Sequence, residues 1–501
     1  MKRRRAKRLT LFVGKGGSRV FETVIGLEVH VELGTKTKIF CGCAVEFGAP
    51  PNARVCPVCM GSPGVLPVLN EEALKLAVRA ALALNCKVPN ESKFDRKNYF
   101  YPDSPKAYQI SQYDEPIGTN GYLDIEIDGE KKRIGITRVH LEEDAGKLNH
   151  SPFGDVSLVD LNRVGIPLIE IVSEPDLRSP EEARLYLEGI KAIMQYCLVS
   201  ECKMEEGSLR CDANLSLRPA GQAAFGTKTE IKNMNSFRNV QRGLESEQAR
   251  QTRALLAGDT IEQVTLRFDE ATGLTSPMRS KEDAHDYRYF PDPDLPRMIL
   301  SDAYIEERRR EIPELPDARR ARWIADYQLP VYDVGVLTAS RDIADLFDQA
   351  VERVLDAKLV SNWIMGDVLA YLKAQGIELR DTKLTGAHLA DLLENLKRGG
   401  ISAAIAKDVL KRVMESGESP SAIIAAQGLA QISDEGELAG IVTQVIEANP
   451  KSVEDLLAGK DKAIASLVGQ VMKATKGKAN PQVVNRLIGE QIQAIREARL
   501  S

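Results

Sequence analysis

The chain has 501 residues, of which 43% are hydrophobic and 28% charged, and its formal net charge is −5. This balance is typical of a folded globular protein and excludes a disordered or fibrous one. The length predicts roughly two to four domains. The slightly acidic total excludes a uniformly basic nucleic-acid-binding protein, so any RNA contact must depend on local basic patches.

The first residues form a basic segment with Lys2, Arg3, Arg4, Arg5, Lys7 and Arg8. No stretch here is apolar enough for a signal sequence or a membrane span, which predicts a cytoplasmic protein without membrane contact. Residues 1–20 are expected to form a disordered basic arm. A nucleic-acid-binding tail, an upstream start codon and an organellar presequence are the alternatives, and a presequence would direct the protein to an organellar matrix.

Residues 21–312 mix short alternating runs with Gly and Pro, which predicts an α+β domain built on antiparallel sheet with helices. Asn-Gly at 120–121 and Asp-Gly at 128–129 predict hairpin turns. Helices are expected over residues 71–85 and after Ser179, where the next residue is a proline suited to the first helical position.

The pattern changes at Pro313, beyond which strand signals are few. Helix-period runs such as Ala344 to Lys358 predict an all-helical domain over residues 313–416. A small helical tail domain is expected over residues 417–501. Its final turns and loops carry five lysines, Lys460, Lys462, Lys473, Lys476 and Lys478.

Four of the eight cysteines lie close together in the chain, at Cys41, Cys43, Cys56 and Cys59. Two thiolate pairs about a dozen residues apart can close a tetrahedral zinc site, and a reducing compartment disfavours disulfides. The cluster therefore predicts a structural zinc knuckle over residues 41–59, with four unligated thiols as the alternative. The remaining cysteines are expected to be small core residues.

Three runs alternate polar and apolar residues, as expected of strands with one buried face. Their polar positions are Glu28, His30 and Glu32 in the first, Arg210, Asp212 and Asn214 in the second, and Lys228, Glu230 and Lys232 in the third. If these strands share a sheet, one face gathers groups that suit a divalent metal and a polyphosphate. An ordinary solvated face of an antiparallel sheet is the alternative.

Two further segments carry candidate chemistry. Residues 140–144 place three consecutive acids beside a histidine at a predicted strand end, which suits either a metal site or an acidic turn. Residues 93–101 interleave cations with aromatic residues, which suits either phosphate contacts or surface packing. Because the chain has no phosphate-loop, nucleophile-elbow or kinase motif, an ATP site would be of an unusual type.

Five long motifs in fixed order resemble the B subunits of bacterial-type aspartyl/glutamyl-tRNA amidotransferases. They occupy residues 24–33, 93–103, 158–173, 203–214 and 286–291. The resemblance extends from residue 21 to the C-terminus. It implies a cradle-shaped catalytic domain, then a helical domain and a mobile helical tail that grips tRNA.

The resemblance also implies an activity, that of a ligase forming C–N bonds with glutamine as amido donor. The family uses ATP to phosphorylate the side chain of a misacylated Glu-tRNA(Gln), Asp-tRNA(Asn) or both. Ammonia channelled from the A subunit then converts the product to Gln-tRNA(Gln) or Asn-tRNA(Asn). The implied partners are the A and C subunits, in a heterotrimer, and the misacylated tRNA.

Site residues follow from the same resemblance, position by position. The implied catalytic residues are Glu28, Lys97 and Asp212. The implied Mg²⁺ ligands are His30, Glu143 and Glu230. The implied nucleotide contacts are Lys97, Glu142, Asn214, Lys232 and Asn233. The zinc knuckle occurs in only some members of the family.

Two other classes of function compete with this interpretation. The chain could serve only as a tRNA-binding scaffold, with the chemistry elsewhere. It could also be a stand-alone glutamine-dependent amidase, which is disfavoured because the sequence has no Ser-Gly-Gly-Ser-rich amidase core.

Overall fold

A computed structural model describes residues 21–150, 154, 156–278, 286–430, 435–457, 463–475 and 478–500. The predicted basic arm, residues 1–20, lies outside the described residues. The chain divides into two compact units after Pro316. The first is sheet-rich and the second helical, which confirms the α+β prediction. Across the described ranges, no helix combines the length and hydropathy of a bilayer span.

The first unit contains all the strands of the described residues. In chain order they are β1 (Phe21–Glu32), β2 (Glu91–Ser92), β3 (Asp95–Asn98), β4 (Tyr108–Ser111), β5 (Gly118–Ile127), β6 (Glu130–Glu143), β7 (Lys147–His150), β8 (Ser157–Asp160), β9 (Pro167–Ser173), β10 (Leu209–Pro219), β11 (Thr229–Lys232), β12 (Thr265–Asp269), β13 (Leu274–Pro277), β14 (Phe290–Pro291) and β15 (Met298–Ile299).

One large sheet organises this unit, with strand order β13-β12-β11-β10-β1-β9-β6-β5. Its neighbours are antiparallel except for the parallel pair β11–β12. Smaller sheets are formed by β14-β3-β4, β15-β2 and β7-β8. The predicted antiparallel sheet is therefore present, and β1 lies in its interior.

Helices α1 (Glu71–Ala83), α2 (Pro180–Tyr196), α3 (Phe237–Ala257) and α4 (Asp302–Arg310) complete the first unit. Contacts of α1 and α2 with β5, and of α3 with β10, place helices on the apolar face of the large sheet. The alternate residues Leu27, Val29 and Val31 of β1 are almost fully buried in that core. The polar side chains between them are thereby directed to the opposite face.

The two predicted hairpin turns have different outcomes. Asp128 and Gly129, with φ of 52° and 78°, form the two-residue turn between β5 and β6, where Ile127 pairs with Glu130. That prediction is confirmed. The turn predicted at Asn120-Gly121 is wrong, because β5 continues through both residues and keeps one register with β6 on either side.

Gly121 has a packing role in place of a turn. A Cβ atom built there would lie 2.4 Å from Cys86 Sγ and 2.6 Å from the carbonyl oxygen of Leu84. We therefore expect Gly121→Ala to lower the free energy of unfolding by about 3 kcal/mol, because overpacking against backbone forces a local shift. Urea denaturation of the complete chain measures this, with Gly335→Ala, where a Cβ would meet nothing within 4 Å, as the control. Equal stability of the two variants would contradict the packing argument.

The predicted helices of the first unit are confirmed. α1 begins after Asn70, whose side chain accepts hydrogen bonds from the amides of Glu72 and Ala73. α2 begins at Pro180, with Ser179 as its cap. The N-termini of both helices are thus explained by their capping residues.

The second unit is helical throughout its described residues. Its helices are α5 (Pro316–Tyr327), α6 (Val331–Leu337), α7 (Arg341–Val354), α8 (Ala357–Trp363), α9 (Leu369–Gln375), α10 (Gly386–Lys397), α11 (Ala403–Ser416), α12 (Pro420–Ala426), α13 (Glu435–Ala448), α14 (Pro450–Leu457), α15 (Ala463–Ala474) and α16 (Pro481–Leu500). A π-helical turn, Ile364–Val368, joins α8 to α9, and a 3₁₀ turn covers Leu379–Asp381.

The helical run expected over residues 344–358 is interrupted. Leu355 has a φ of 52°, which ends α7, and the Asp356 side chain caps α8 by accepting from the amide of Leu359. The division of the helical region at residue 417 stays a prediction. Of the five C-terminal lysines, Lys460, Lys462 and Lys476 lie outside the described residues.

Candidate active site

The candidate site lies on the sheet face opposite the helices, which we call the polar face. Strand register aligns its side chains in rows across β1 and its neighbours. His30 pairs with Arg210 on one side and with Glu170 on the other, and Glu170 pairs in turn with His140. One row therefore joins four strands at the level of His30.

A second and a third row lie further along the same strands. Glu28 pairs with Asp212 in one, and Gly26 pairs with Asn214, which pairs with Glu230, in the other. The three alternating runs of the sequence therefore do share one sheet and one face. The expected catalytic residues Glu28 and Asp212 are direct cross-strand neighbours.

A compact group of two histidines and two carboxylates is formed by His30, Glu170 and His140 of the first row and by Glu142, two residues further along β6. His30, Glu142 and Glu170 each offer a ligand atom, and these atoms all lie within 4.8 Å of one another. His30 Nε2 is 3.3 Å from a Glu170 oxygen, and His140 Nε2 is 3.4 Å from oxygens of both Glu142 and Glu170. Ser111 also donates a 2.8 Å hydrogen bond to Glu142. We call the two carboxylates Glu142 and Glu170, together with the imidazole of His30, the carboxylate triad.

The electrostatics of this group favour ionised carboxylates. Burial alone would raise the pKa of Glu170, but the two histidines outweigh burial and hold that pKa well below its ordinary value. The pKa of Glu142 is lowered in the same way, chiefly by His140. Burial favours neutral His140, yet the two carboxylates raise its pKa to about 9. Two buried anionic groups beside an imidazole are ligands that a hard divalent cation can use.

Lys97 enters the polar face from β3. Its ammonium nitrogen lies 5.0 Å from the centre of the Tyr287 ring. Burial would lower the pKa of Lys97, but the field of Glu142 and Glu170, with that of Tyr289, outweighs it and raises the pKa. Lys97 therefore presents a partly buried positive charge close to the carboxylate triad.

Another charged group lies on the neighbouring strands β10 and β11. Lys232 donates a 2.6 Å hydrogen bond to Asp212 and lies 3.3 Å from Glu230, and these contacts raise its pKa against the effect of burial. Asn214 donates a 3.4 Å hydrogen bond to Glu28. Burial, together with the nearby carboxylates Glu170, Asp212 and Glu230, raises the pKa of Glu28. Glu28 is thus a carboxylate with increased basicity.

The structure does not bring the expected magnesium ligands His30, Glu143 and Glu230 together. Glu143 accepts from Lys106 Nζ and, at 2.9 Å, from the amide of Ile110. Because successive strand residues point to opposite faces, Glu142 reaches the polar face and Glu143 does not. Glu230 lies in the row of Gly26, about 13 Å along the strands from the row of His30 at about 3.3 Å per residue.

Of the expected nucleotide contacts, Glu142, Asn214 and Lys232 lie on the polar face. Asn233 lies just after β11, exposed and with a φ of 63°. Two central members of the group were not assigned a site role from the sequence: Glu170 was not singled out at all, and His140 appeared only within the candidate segment 140–144. The available signal for Glu170 was a single carboxylate within the apolar run of β9, Pro-Leu-Ile-Glu-Ile-Val-Ser.

A second candidate metal site lies away from the polar face. The sulfur atoms of Cys41, Cys43, Cys56 and Cys59 all lie within 4.8 Å of one another. The Cys41 thiol and the Cys56 amide donate to Cys59, and Lys38 Nζ lies 3.7 Å from its sulfur. These contacts lower the pKa of Cys59 to about 4. Four clustered sulfur atoms, one of them on a thiol of lowered pKa, match the donor set of a tetrahedral zinc site.

The other four cysteines are Cys86, Cys197, Cys202 and Cys211, and all are buried. Burial raises the pKa of Cys86 and of Cys202 to about 12 in each case. They are inert core residues, as predicted.

Comparison with known proteins places the chain in a family. The GatB/GatE catalytic domain matches residues 23–306, and the GatB domain matches residues 345–492. The aspartyl/glutamyl-tRNA(Asn/Gln) amidotransferase B subunit of Brevibacillus brevis is 59% identical over 475 residues, which are 95% of this chain and 99% of the relative. The chain belongs to the amidotransferase B-subunit family. The B subunits of Bacillus thuringiensis and Bacillus cereus are each 59% identical over 471 residues, 94% of this chain and 99% of theirs.

Membership of the B-subunit family confirms the resemblance given by the five motifs. The catalytic-domain match covers the polar face from β1 to β11, and the second match lies wholly within the helical unit. The carboxylate triad, Lys97 and the Glu28–Asp212 pair therefore all belong to the part of this B-subunit family member that matches a catalytic domain.

Proposed function

We propose that the chain is the B subunit of a heterotrimeric, glutamine-dependent tRNA amidotransferase of the cytoplasm. With the A and C subunits it converts Glu-tRNA(Gln), Asp-tRNA(Asn) or both to the amidated products, using ATP and ammonia supplied by the A subunit. The observation that carries the proposal is the polar face. It combines a triad of potential metal ligands, two partly buried lysines and a carboxylate of raised pKa within a matched catalytic domain.

ATP is required by the chemistry of the substrate. A side-chain carboxylate reacts poorly with ammonia because oxide would have to leave. Phosphorylation gives an acyl phosphate, from which ammonia displaces inorganic phosphate. The protein's contribution to such a transfer is positioning and neutralisation of charge on the phosphoryl group.

His30, Glu142 and Glu170 are the residues proposed to hold Mg²⁺, in place of the set expected from the sequence. Their ligand atoms lie together, and the neighbouring histidines hold the pKa of both carboxylates below its ordinary value despite burial. When bound, the ion supplies positive charge beside the phosphoryl oxygens. Lys97 supplies a second positive charge beside the triad. Lys232 on β11 supplies a third positive charge and is held in place by its hydrogen bond to Asp212.

Glu28 is proposed to accept the proton released when ammonia attacks. Its raised pKa and its position between the triad and Asp212 suit a general base. We expect Glu28→Gln to lower the rate of amidation about 100-fold while leaving formation of the acyl phosphate within about threefold. Single-turnover assays that separate ADP release from amide formation measure the two steps.

Glu22→Gln is the matched control for Glu28→Gln, since Glu22 lies on the same strand but is held by Arg178 and Arg218. Its amidation rate should remain near that of the wild type. Unchanged amidation in Glu28→Gln would remove Glu28 from the mechanism.

Trapping of the intermediate tests the function as a whole. The reconstituted complex is incubated with misacylated tRNA, ATP and hydroxylamine, which converts acyl phosphates to hydroxamates. Hydroxylamine also releases the α-hydroxamate from the aminoacyl ester with or without ATP, so the product to be measured is the side-chain hydroxamate. We expect side-chain hydroxamate to form only with ATP, and His30→Ala in this chain to abolish it. Side-chain hydroxamate that survives His30→Ala would favour the scaffold alternative, with the chemistry on another subunit.

Zn²⁺ is proposed for the cysteine cluster, where it would be held by Cys41, Cys43, Cys56 and Cys59. Because all four ligands come from the protein, no coordination position remains for a substrate. The role of this site is therefore structural.

A further inference from the structure

Arg210 is a charged residue of the polar face to which the proposed mechanism gives no role. It lies directly opposite His30 across the β1–β10 pair, so the two side chains leave the sheet on the same face. Electrostatic interactions of its guanidinium reach Glu142 as well as His30, which places the positive charge close to the carboxylate triad. The Arg210 side chain is 35% exposed. It can therefore contact a ligand that is held at the triad.

A single carboxylate anchors the guanidinium of Arg210. Nη2 donates a 2.6 Å hydrogen bond to Asp144, which is almost fully buried. Glu32, the other carboxyl group nearby, forms its side-chain hydrogen bond with Asp144. Among the described residues, Asp144 is the only hydrogen-bond acceptor of this guanidinium, and the buried Nε has no partner. Because an arginine carries five N–H donors in a planar fork, several donors of Arg210 are not used within this part of the chain.

Arg163 shares the same anchor but is bonded more fully. Its Nε donates to the carbonyl oxygen of Ala145 at 2.9 Å, and its Nη2 donates to that of Gly146 at 2.8 Å. Nε also lies 3.4 Å from Asp144. These contacts tie Arg163 to the backbone that follows β6, and a structural role explains them. Arg210 makes no such backbone contacts among the described residues, so its position on the polar face calls for a different explanation.

The substrate of the proposed reaction carries a group that matches a guanidinium. A misacylated tRNA presents the side-chain carboxylate of Glu or Asp, whereas the amidated product presents a neutral amide. The planar fork of an arginine binds a carboxylate through short, charge-assisted hydrogen bonds that an amide cannot equal. Because the carboxylate is the group to be phosphorylated, it must lie beside the metal ion proposed for the triad. The position of Arg210 opposite His30 meets that requirement.

We propose that Arg210 binds the side-chain carboxylate of the misacylated amino acid and holds it beside the carboxylate triad. This inference rests on the proposed function and names the residue that distinguishes the acidic substrate from the amidated product. The guanidinium holds one carboxylate oxygen, which leaves the other to face the phosphoryl group. Once the amide has formed, the charge attraction is lost and release of the product is favoured. Asp144 is then a positioning residue that acts through Arg210.

Arg210→Met tests the assignment, because methionine keeps an unbranched side chain but carries no charge. Equilibrium binding to the complete heterotrimer is measured without ATP, for the misacylated, amidated and uncharged forms of one tRNA. The wild type should bind the misacylated form most tightly. Arg210→Met should weaken binding of that form alone about tenfold, as expected for loss of hydrogen bonds to a charged group. Mg·ATP affinity, measured by calorimetry, should stay within twofold.

Two further variants control for damage to the fold. Arg210→Lys keeps the charge but not the planar fork, so its preference for the misacylated form should lie between those of the wild type and Arg210→Met. Arg163→Lys is the matched control, since Arg163 contacts the same Asp144 but is tied to backbone carbonyl groups. Its preference for the misacylated form should equal that of the wild type.

The outcomes separate the two proposals. If the wild-type complex forms no amide from misacylated tRNA with ATP and glutamine, the proposed function fails. If it is active but prefers no form of the tRNA, or if Arg210→Met keeps the wild-type preference, the role of Arg210 is overturned while the function stands. If Arg210→Met weakens Mg·ATP, Arg210 belongs to the nucleotide phosphates, and its assignment to the amino acid is likewise overturned. Equal weakening of all three tRNA forms would overturn it in the same way.

Discussion

Glu142→Gln in the amidotransferase complex is expected to weaken binding of the divalent metal and to lower the rate of ATP-dependent acyl phosphate formation about 1000-fold. Glu143→Gln, by contrast, is expected to leave the affinity for the metal unchanged. The two residues are adjacent in the chain, yet they lie in different surroundings. Glu142 belongs to the carboxylate triad and contacts His140 and Ser111, whereas Glu143 contacts Lys106 and the amide of Ile110. Their comparison therefore separates metal binding from general structural damage.

The measurement uses Mn²⁺ as a spectroscopic substitute for magnesium. Titration of the full chain, followed by electron paramagnetic resonance, should show a site in the wild type and in Glu143→Gln but a weakened site in Glu142→Gln. Glu143→Gln breaks a buried ion pair, so its thermal stability should fall even though its metal affinity does not. Loss of the site in Glu143→Gln with retention in Glu142→Gln would restore the metal ligands expected from the sequence.

Removal of zinc is the second change with a large expected effect. We expect Cys59→Ser to lose the metal and to unfold the knuckle over residues 41–59, because binding of structural zinc contributes on the order of 10 kcal/mol to the folding of such segments. Cys59 accepts hydrogen bonds from the Cys41 thiol, the Cys56 amide and Lys38 Nζ, and these contacts lower the pKa of its thiol. Elemental analysis of zinc and limited proteolysis of the knuckle measure the two consequences.

Cys202→Ala is the matched control for Cys59→Ser. Cys202 is fully buried but lies outside the cluster, so this variant should keep one zinc per chain and a protected knuckle. A purified wild type that lacks zinc, resists proteolysis at the knuckle and reacts with thiol reagents at all four positions would show four unligated thiols instead.

The alternation of side chains along a β-strand made several residues of the candidate site predictable. Alternation alone placed Glu28, His30 and Asp212 on polar faces of their strands, and the structure brings those faces together. Glu170 was not predictable in this way, because its strand becomes the neighbour of β1 only through pairing across about 140 residues. Local sequence carries no information on which distant strand fills that position.

Other differences arise where two physical signals compete. The consecutive carboxylates Glu142 and Glu143 lie at the end of β6, and alternation fixes only that they point to opposite faces, not which one faces the site. At Asn120-Gly121 the sequence carries a strong turn signal, yet the close approach of Leu84 and Cys86 requires a glycine within a continuous strand. In both places tertiary contacts decide the outcome.

The interior position of β1 has a consequence for biosynthesis. Its two partners, β9 and β10, span residues 167–219, so the hydrogen-bonding edges of β1 stay unpaired until well over a hundred further residues have been translated. At about 5–20 residues per second, the nascent strand stays unpaired for roughly ten seconds or longer. During that interval its exposed edges are open to chaperones and to intermolecular pairing. The strand that carries Glu28 and His30 is therefore synthesised before both of its partner strands and becomes paired only after they are translated.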